Sequence, residues 1–229
     1  ICGIQFKSMT EKLKKLAKEL QGQLFYDKTI RTLYATDASA YRELPLAVAI
    51  PKSDNDIKRL IQFASAEGTS LIPRTAGTSL AGQVVGSGIV VDVSKHFTQI
   101  LELNKEEGWV RVQPGVIRDE LNLFLKPHGL FFGPETSTAN RAMIGGMVGN
   151  NACGSNSVVY RSTREHVLEV KALLSDGSEA VFGAIDLDTF HHKCELNTVE
   201  GSIYKSVRSL LSNYEQQQEI RKEFPKKTV

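Results

Sequence analysis

From Ala142 to Tyr160 the chain runs without a charged residue, yet it carries four glycines and three asparagines. That stretch constrains the fold more than any other. Its amides would lie unpaired in lipid, so it is no spanning helix. As a mere connector it would lose much conformational entropy for nothing, and long loops of this composition are usually binding loops. The segment Phe132-Gly133-Pro134-Glu135-Thr136-Ser137-Thr138 leads into its core, Met143 through Gly145, Gly146, Asn150, Ala152, Cys153, Gly154 and Ser155. These uncharged, partly apolar side chains suit a flat neutral ring better than a metal or a polyanion.

A second small-residue loop stands upstream. Arg74-Thr75-Ala76-Gly77-Thr78-Ser79-Leu80-Ala81-Gly82-Gln83 follows directly on the short apolar strand Ser70–Pro73. Small residues let successive backbone N–H groups converge on an anion. Thr75, Thr78 and Ser79 add hydroxyls, and Arg74 adds a fixed charge. This is chemistry for a pyrophosphate, although no Gly-Lys-Ser/Thr closes it and no G-x-G-x-x-G opens a helix here. Read alone, the loop is equally a tight connection. Together the two loops imply a large nucleotide cofactor lying across two subdomains.

The elements around them read as α+β. An amphipathic helix spans Thr10–Leu20, with Thr10 as cap and Gly22 as stop, and residues 23–44 read as an extended surface segment. The segment before Met9 is expected to be a leader. Strands are expected at Leu46–Ile50, Ser70–Pro73, Gly88–Val93, Gln99–Asn104 and Trp109–Gln113. Helices are expected at Asp56–Glu67, with Ile57, Leu60, Ile61 and Ala64 inward, and at Arg118–Lys126, with Leu121, Phe124 and Leu125 inward. Asp176-Gly177 turns a hairpin of Val167–Ser175 and Glu179–Phe182. Ile203–Asn213 is the expected last helix, followed by a polar tail to Val229. The expected layout is an extension over 1–44 and a domain over 45–229, with subdomains near 45–105 and 106–215. At 229 residues and 25.3 kDa the chain can bury a core of that size.

Charge narrows the function. Lys+Arg 28 against Asp+Glu 26 leaves +2, with no global field to attract nucleic acid or an anionic membrane. Cys2, Cys153 and Cys194 are too scattered for a disulfide framework, a metal site or an iron–sulfur cluster, and a reducing cytoplasm is the expected compartment. His96, His128, His166, His191 and His192 lie outside both loops and are expected to be surface or structural. Trp109 is expected to be a strand residue packing on the core.

Several ordered motifs carry a resemblance: Pro73-Arg74-Thr75-Ala76-Gly77-Thr78-Ser79-Leu80, Val90-Val91-Asp92-Val93-Ser94 and Val112-Gln113-Pro114-Gly115-Val116. They are joined by Ile144-Gly145-Gly146 through Gly154, and by Glu165-His166-Val167 through Leu174-Ser175-Asp176-Gly177. Over roughly residues 25–215 the chain resembles the PCMH-type FAD-binding domain of the FAD-linked oxidases. Within it, the nearest branch is glycolate oxidase and D-lactate or D-2-hydroxyglutarate dehydrogenase, including fusions with an iron–sulfur oxidoreductase half. The resemblance implies two α/β subdomains clasping FAD. Residues matching Pro73–Leu80 would wrap the pyrophosphate, with Gln83 at the loop's exit near the flavin. Those matching Pro134, Glu135, Thr136 and Ser137 would pass beside the isoalloxazine and diphosphate. Those matching Gly145, Gly146, Asn150, Ala152, Gly154 and Ser155 would line the flavin and the rest of the cofactor. No histidine stands in the first loop, where covalently flavinylated relatives carry one, so FAD is expected to be non-covalent.

Two departures stand out. Arg161 follows Tyr160 where the family has glycine, and a positive φ there would strain an arginine. The family's later Gly-Ser-Glu-Gly segment and its C-terminal substrate domain are expected to lie outside these residues, and no catalytic base can be named. The expected function is the FAD domain of an enzyme that oxidises a small 2-hydroxy acid and passes electrons to an iron–sulfur or other acceptor, with the fragment alone inactive. The alternatives are a non-catalytic remnant and a relative of UDP-N-acetylenolpyruvoylglucosamine reductase.

Overall fold

Short, uninterrupted apolar runs such as Ala47–Ile50 and Ile89–Val91 are too brief for helices, so they become strands buried on both faces. A computed structural model describes residues 2–224. The chain divides into two units, Ile1–Val167 and Leu168–Val229.

The first unit opens with α1 (Cys2–Glu19), β1 (Gln23–Phe25) and α2 (Lys28–Leu33), followed by β2 (Ala47–Ile50), α3 (Asp54–Glu67), β3 (Leu71–Arg74) and β4 (Ile89–Asp92). The sheet order is β1-β2-β4-β3, with β2, β4 and β3 parallel and β1 antiparallel to β2. Ser53 caps α3 by accepting the Asp56 N–H, and Gly68, at φ 62, ends it. Leu60 and Ala64 of this helix are buried, whereas Ile57 and Ile61 are only half-buried.

Residues of the 1–44 segment, expected as an extension, pack into this core. Leu13 and Leu16 of α1, and Leu20 just beyond its end, pack with Leu24, Ala47, Ala49, Leu60, Ile89 and Val91. Buried Asp56 ties the helix end down by accepting the N–H groups of Gln21, Gly22 and Lys52 at 2.8–2.9 Å. Gly22 is needed there because a Cβ would lie 2.1 Å from the Ile50 carbonyl oxygen. The helix also begins before Thr10, so Thr10 is not its cap, and it runs through the segment expected as a leader. The expected extended segment 23–44 instead contains β1 and α2.

The hairpin β5 (Ile100–Asn104) and β6 (Trp109–Val112) follows, then α4 (Arg118–Leu125), whose Leu121 and Leu125 pack with Val116 beneath the hairpin. Phe124, expected inward, is 40 % exposed. Trp109 is half-buried, and its indole N–H donates to Glu107 at 2.6 Å. The glycine-rich stretch then forms two short helices, α5 (Ile144–Asn150) and α6 (Ser157–Tyr160).

In the second unit β7 (Glu169–Leu173) pairs with β8 (Glu179–Gly183) around Gly177 at φ 83. Three helices follow: α7 (Leu187–Glu195), α8 (Val199–Ser212) and α9 (Tyr214–Glu223). Ile203–Asn213 is therefore not the last helix, because the polar tail is helical to Glu223. Its final residues, 225–229, lie outside the described residues. Among the described residues no helix is long and apolar enough to cross a membrane.

Candidate functional site

Ligands of parallel sheets gather beyond the carboxyl ends of the strands, and the Thr75–Gln83 loop leaves that end of β3. Gly77 and Gly82 sit at φ 67 and 69, which only glycine adopts freely. Among the described residues, no protein acceptor takes the backbone N–H groups of Thr75, Ala76, Gly77, Thr78, Ser79 or Leu80. The hydroxyls of Thr75 and Thr78 and the ammonium of Lys95 likewise have no hydrogen-bonding or ionic partner there. A polar cleft of about 200 Å³ opens beside this loop, lined among others by Tyr34, Arg74, Thr75, Ala76, Ser94 and Lys95. Asp92 lines it too, and the two cations Arg74 and Lys95 outweigh that one carboxylate, so the cleft favours an anion.

The N-terminal segment braces this loop from behind. Arg74 Nη1 donates to the Thr36 carbonyl at 2.8 Å, and the guanidinium lies 5.1 Å from the Tyr34 ring centroid. One end of the fixed charge expected for an anion is thus committed to the protein. Ala38 N–H donates to the Gly77 carbonyl at 3.1 Å, and the Tyr41 ring packs against Gly82. Tyr34 Oη donates to Asp92 Oδ2 at 2.6 Å, and the Ser94 N–H donates to Asp92 Oδ1 at 2.8 Å. Burial first, and the Asp92 carboxylate second, hold the Tyr34 proton on far above the ordinary phenol range. Beside it, Asp37 Oδ2 is buried with no partner, while Oδ1 accepts the Ser39 N–H.

The second loop is held by its own backbone. Ile144 and Gly145 donate to the carbonyls of Val116 and Pro114 at 2.9 and 2.8 Å. Ala152 N–H returns to the Met147 carbonyl, and the Ala152 carbonyl accepts both the N–H and the hydroxyl of fully buried Thr163, at 3.0 and 2.7 Å. Gly154 lies flat on the carbonyl of Glu135, where a Cβ would come within 2.3 Å, and Asn156 Nδ2 donates to Glu135 Oε2. Pro134 is buried, and its carbonyl accepts Arg118 Nε at 3.1 Å. The loops meet at two points. Gly146 faces Thr75 so closely that a Cβ would sit 2.5 Å from Oγ1. Gln83 accepts Ser79 Oγ at 2.5 Å and donates to Asn150 Oδ1 at 3.0 Å.

Arg161 does take a positive φ, at φ 60 and ψ −158, a region essentially reserved for glycine. It is held from both sides. Arg161 N–H donates to Ser157 at 2.7 Å, and His166 Nε2 donates to the Tyr160 carbonyl at 2.7 Å. Ser162 and Glu165 then form a reciprocal capping box. Hydrogen bonds from Ser162, then Arg164, hold the Glu165 carboxyl down at about 2.

The structure therefore draws together Thr75, Ser79, Gln83, Gly146 and Asn150, and separately Glu135 with Gly154. Leu80, Ser137 and Ser155 are exposed and join neither contact, while Pro73 is an exposed strand residue. Cys153 is exposed and Cys194 buried. No group of three His, Cys, Asp or Glu able to hold a metal stands among the described residues. Tyr34, Tyr41, Ser94 and Lys95 were not foreseen. Their place depends on sheet pairing across dozens of residues, and no local pattern signals it.

Residues 45–183 match the FAD binding domain family model. The chain is 41 % identical over 209 residues to a D-2-hydroxyglutarate dehydrogenase of Pseudomonas putida, covering 90 % of this chain and 21 % of that protein. It is 31 % identical to the glycolate oxidase subunit GlcD of Bacillus subtilis, over 74 % of this chain and 37 % of that one. The chain thus spans about a fifth to about a third of these relatives' length. Among solved structures, the BBE-like 1 protein of Physcomitrella patens superposes with a TM-score of 0.66 at 19 % identity, covering 80 % of this chain and 40 % of that one.

Proposed function

This chain belongs to the FAD binding domain family, and from that premise we propose that its two loops seat FAD without a covalent bond. The observation that carries this reading is the run of six consecutive N–H groups, Thr75 to Leu80, with no protein acceptor. They and the Thr75 and Thr78 hydroxyls receive the pyrophosphate, and Lys95 adds positive charge. Gly145, Gly146, Asn150, Ala152 and Gly154 border the ring, with Pro134, Glu135 and Thr136 alongside. The chemistry FAD supplies when bound is acceptance of a hydride at its ring. This chain's own residues bind, orient and screen that ring from water. We assign the base that takes the proton of a substrate hydroxyl to the longer enzyme's remaining residues. The parent enzyme oxidises a 2-hydroxy acid, with D-2-hydroxyglutarate the first to test, and hands electrons to an iron–sulfur or other acceptor in a reducing cytoplasm.

The test is the visible absorption spectrum of the purified chain, before and after added FAD, with the pigment identified after heat release. A flavin band at one FAD per chain, lost to the supernatant on denaturation, is expected. A colourless protein that takes up no added FAD overturns the proposed seat for this chain. Oxidation of D-2-hydroxyglutarate with a dye acceptor by the longer enzyme, and none by the isolated chain, is the second expected result.

A further inference from the structure

Among the described residues, Gln83 makes the one side-chain hydrogen bond that runs between the two loops, and it is anchored within its own loop by Ser79. Its carboxamide has two ends, and both are engaged: Oε1 accepts from Ser79 Oγ at 2.5 Å and Nε2 donates to Asn150 Oδ1 at 3.0 Å. Ser79 lies in the stretch of unpartnered N–H groups, and Asn150 is the last residue of α5. Sixty-seven residues of chain separate Gln83 from Asn150. The contact is exposed, so it adds little to global stability. What it does fix is a spacing. The N–H groups of Thr75 to Leu80 bind no protein atom among the described residues, and that of Ala81 donates to Ser79 Oγ at 3.2 Å, so Ser79 and Gln83 carry this side of the loop. A second described contact between the loops is Thr75 against Gly146, where there is no room for a Cβ.

We infer that Gln83 is a positioning residue that holds the two loops at the separation required by one ligand lying across both. This rests on the reading of the loops as an FAD seat. It makes a distinction that a purely structural role would not make. A ligand occupying both loops, such as FAD, needs the spacing. A ligand occupying the first loop alone, such as ADP with its pyrophosphate, does not.

The experiment is a cycle of Gln83→Met, Asn150→Ala and the double variant in the full chain, read by flavin fluorescence quenching for FAD and by calorimetry for ADP. Each single variant is expected to weaken FAD by roughly tenfold, about the worth of one hydrogen bond to an ordered group. The double variant should bind FAD no more weakly than the poorer single, since either substitution breaks the same bridge. ADP affinity should stay within about twofold throughout. Losses that multiply in the double variant, or an equal loss for ADP and FAD, would overturn the positioning role. Hydrogen exchange on the ligand-free chain separates this inference from the reading beneath it. Faster exchange at Ala81 and Asn151 in the double variant, with wild-type rates elsewhere, is expected whether or not FAD binds. If that coupling is present and the wild type takes up no FAD, the clasp stands and the FAD seat fails. If exchange is unchanged, the clasp itself is overturned.

Discussion

The two loops achieve order by opposite means. The stretch from Ile144 to Thr163 is fastened by backbone contacts, within itself and to Pro114, Val116 and Glu135. Its N–H groups return to nearby carbonyls, Thr163 donates twice to Ala152, and Gly145 and Gly154 press backbone against Pro114 and Glu135. The stretch from Thr75 to Gln83 is shaped from outside, by Thr36, Ala38 and Tyr41, and its N–H groups from Thr75 to Leu80 remain open. A self-satisfied loop presents a surface, whereas an externally braced one presents donors. Damage to the first should be read in stability, and damage to the second in ligand affinity.

The largest expected effect is on the self-satisfied loop. Gly154→Ala drives a Cβ into the Glu135 carbonyl at 2.3 Å. Such overpacking against backbone costs about 1–3 kcal/mol, visible as a melting temperature several degrees lower. An unchanged melt would break the contrast. Tyr34→Phe probes the brace, because it leaves Asp92 Oδ2, a buried carboxylate oxygen, without its donor. A loss of about 1–3 kcal/mol in chemical denaturation is expected, with weaker FAD binding alongside. Thr78→Val sharpens the distinction. Its hydroxyl has no protein partner, so the melt should hold while FAD affinity falls about fivefold, close to 1 kcal/mol. Arg161→Gly should gain about 1 kcal/mol by relieving the strain at φ 60; a loss would mean that the arginine side chain does something the backbone strain conceals.

The smallest effect is a pH dependence. Glu165 is held at about 2 against its ordinary value of 4.5, so its contribution is present above pH 4.5 and fades as pH falls toward 2. Glu165→Gln should flatten that part of the curve of melting temperature against pH. Unaltered curvature would assign the acid sensitivity to other carboxylates.

Much of this was legible in the sequence. The Asp56–Glu67 helix, the Asp176-Gly177 turn and the brief apolar runs each mark a local event, and each fell within a residue or two of its element. What escaped was non-local. Gln-Leu-Phe at 23–25 is too short to show a period, and it is a strand only because Ala47–Ile50 is there to pair with it. Polar Tyr214–Glu223 has no apolar stripe to announce a helix. In the site, glycine and threonine content pointed to both loops, since their freedom and their donors are properties of the residues themselves. Arg74 shows the limit. Its charge is plain in the sequence, but the Thr36 carbonyl that engages it comes from a segment read as extension.

The antiparallel pairing of Gln23–Phe25 with Val48–Ile50 has a practical side for anyone trimming this protein. The family match begins at residue 45, and a fragment cut to that limit would lose both the outermost strand and the leucines of α1. The flank of Ala47–Ile50 would then stand open as an edge, apolar on both faces, with unsatisfied N–H and C=O groups in a row. Such an edge recruits strands from other molecules. The trimmed domain should therefore precipitate or pair with itself where the longer chain stays dispersed, and the first forty residues are what keeps its sheet to itself.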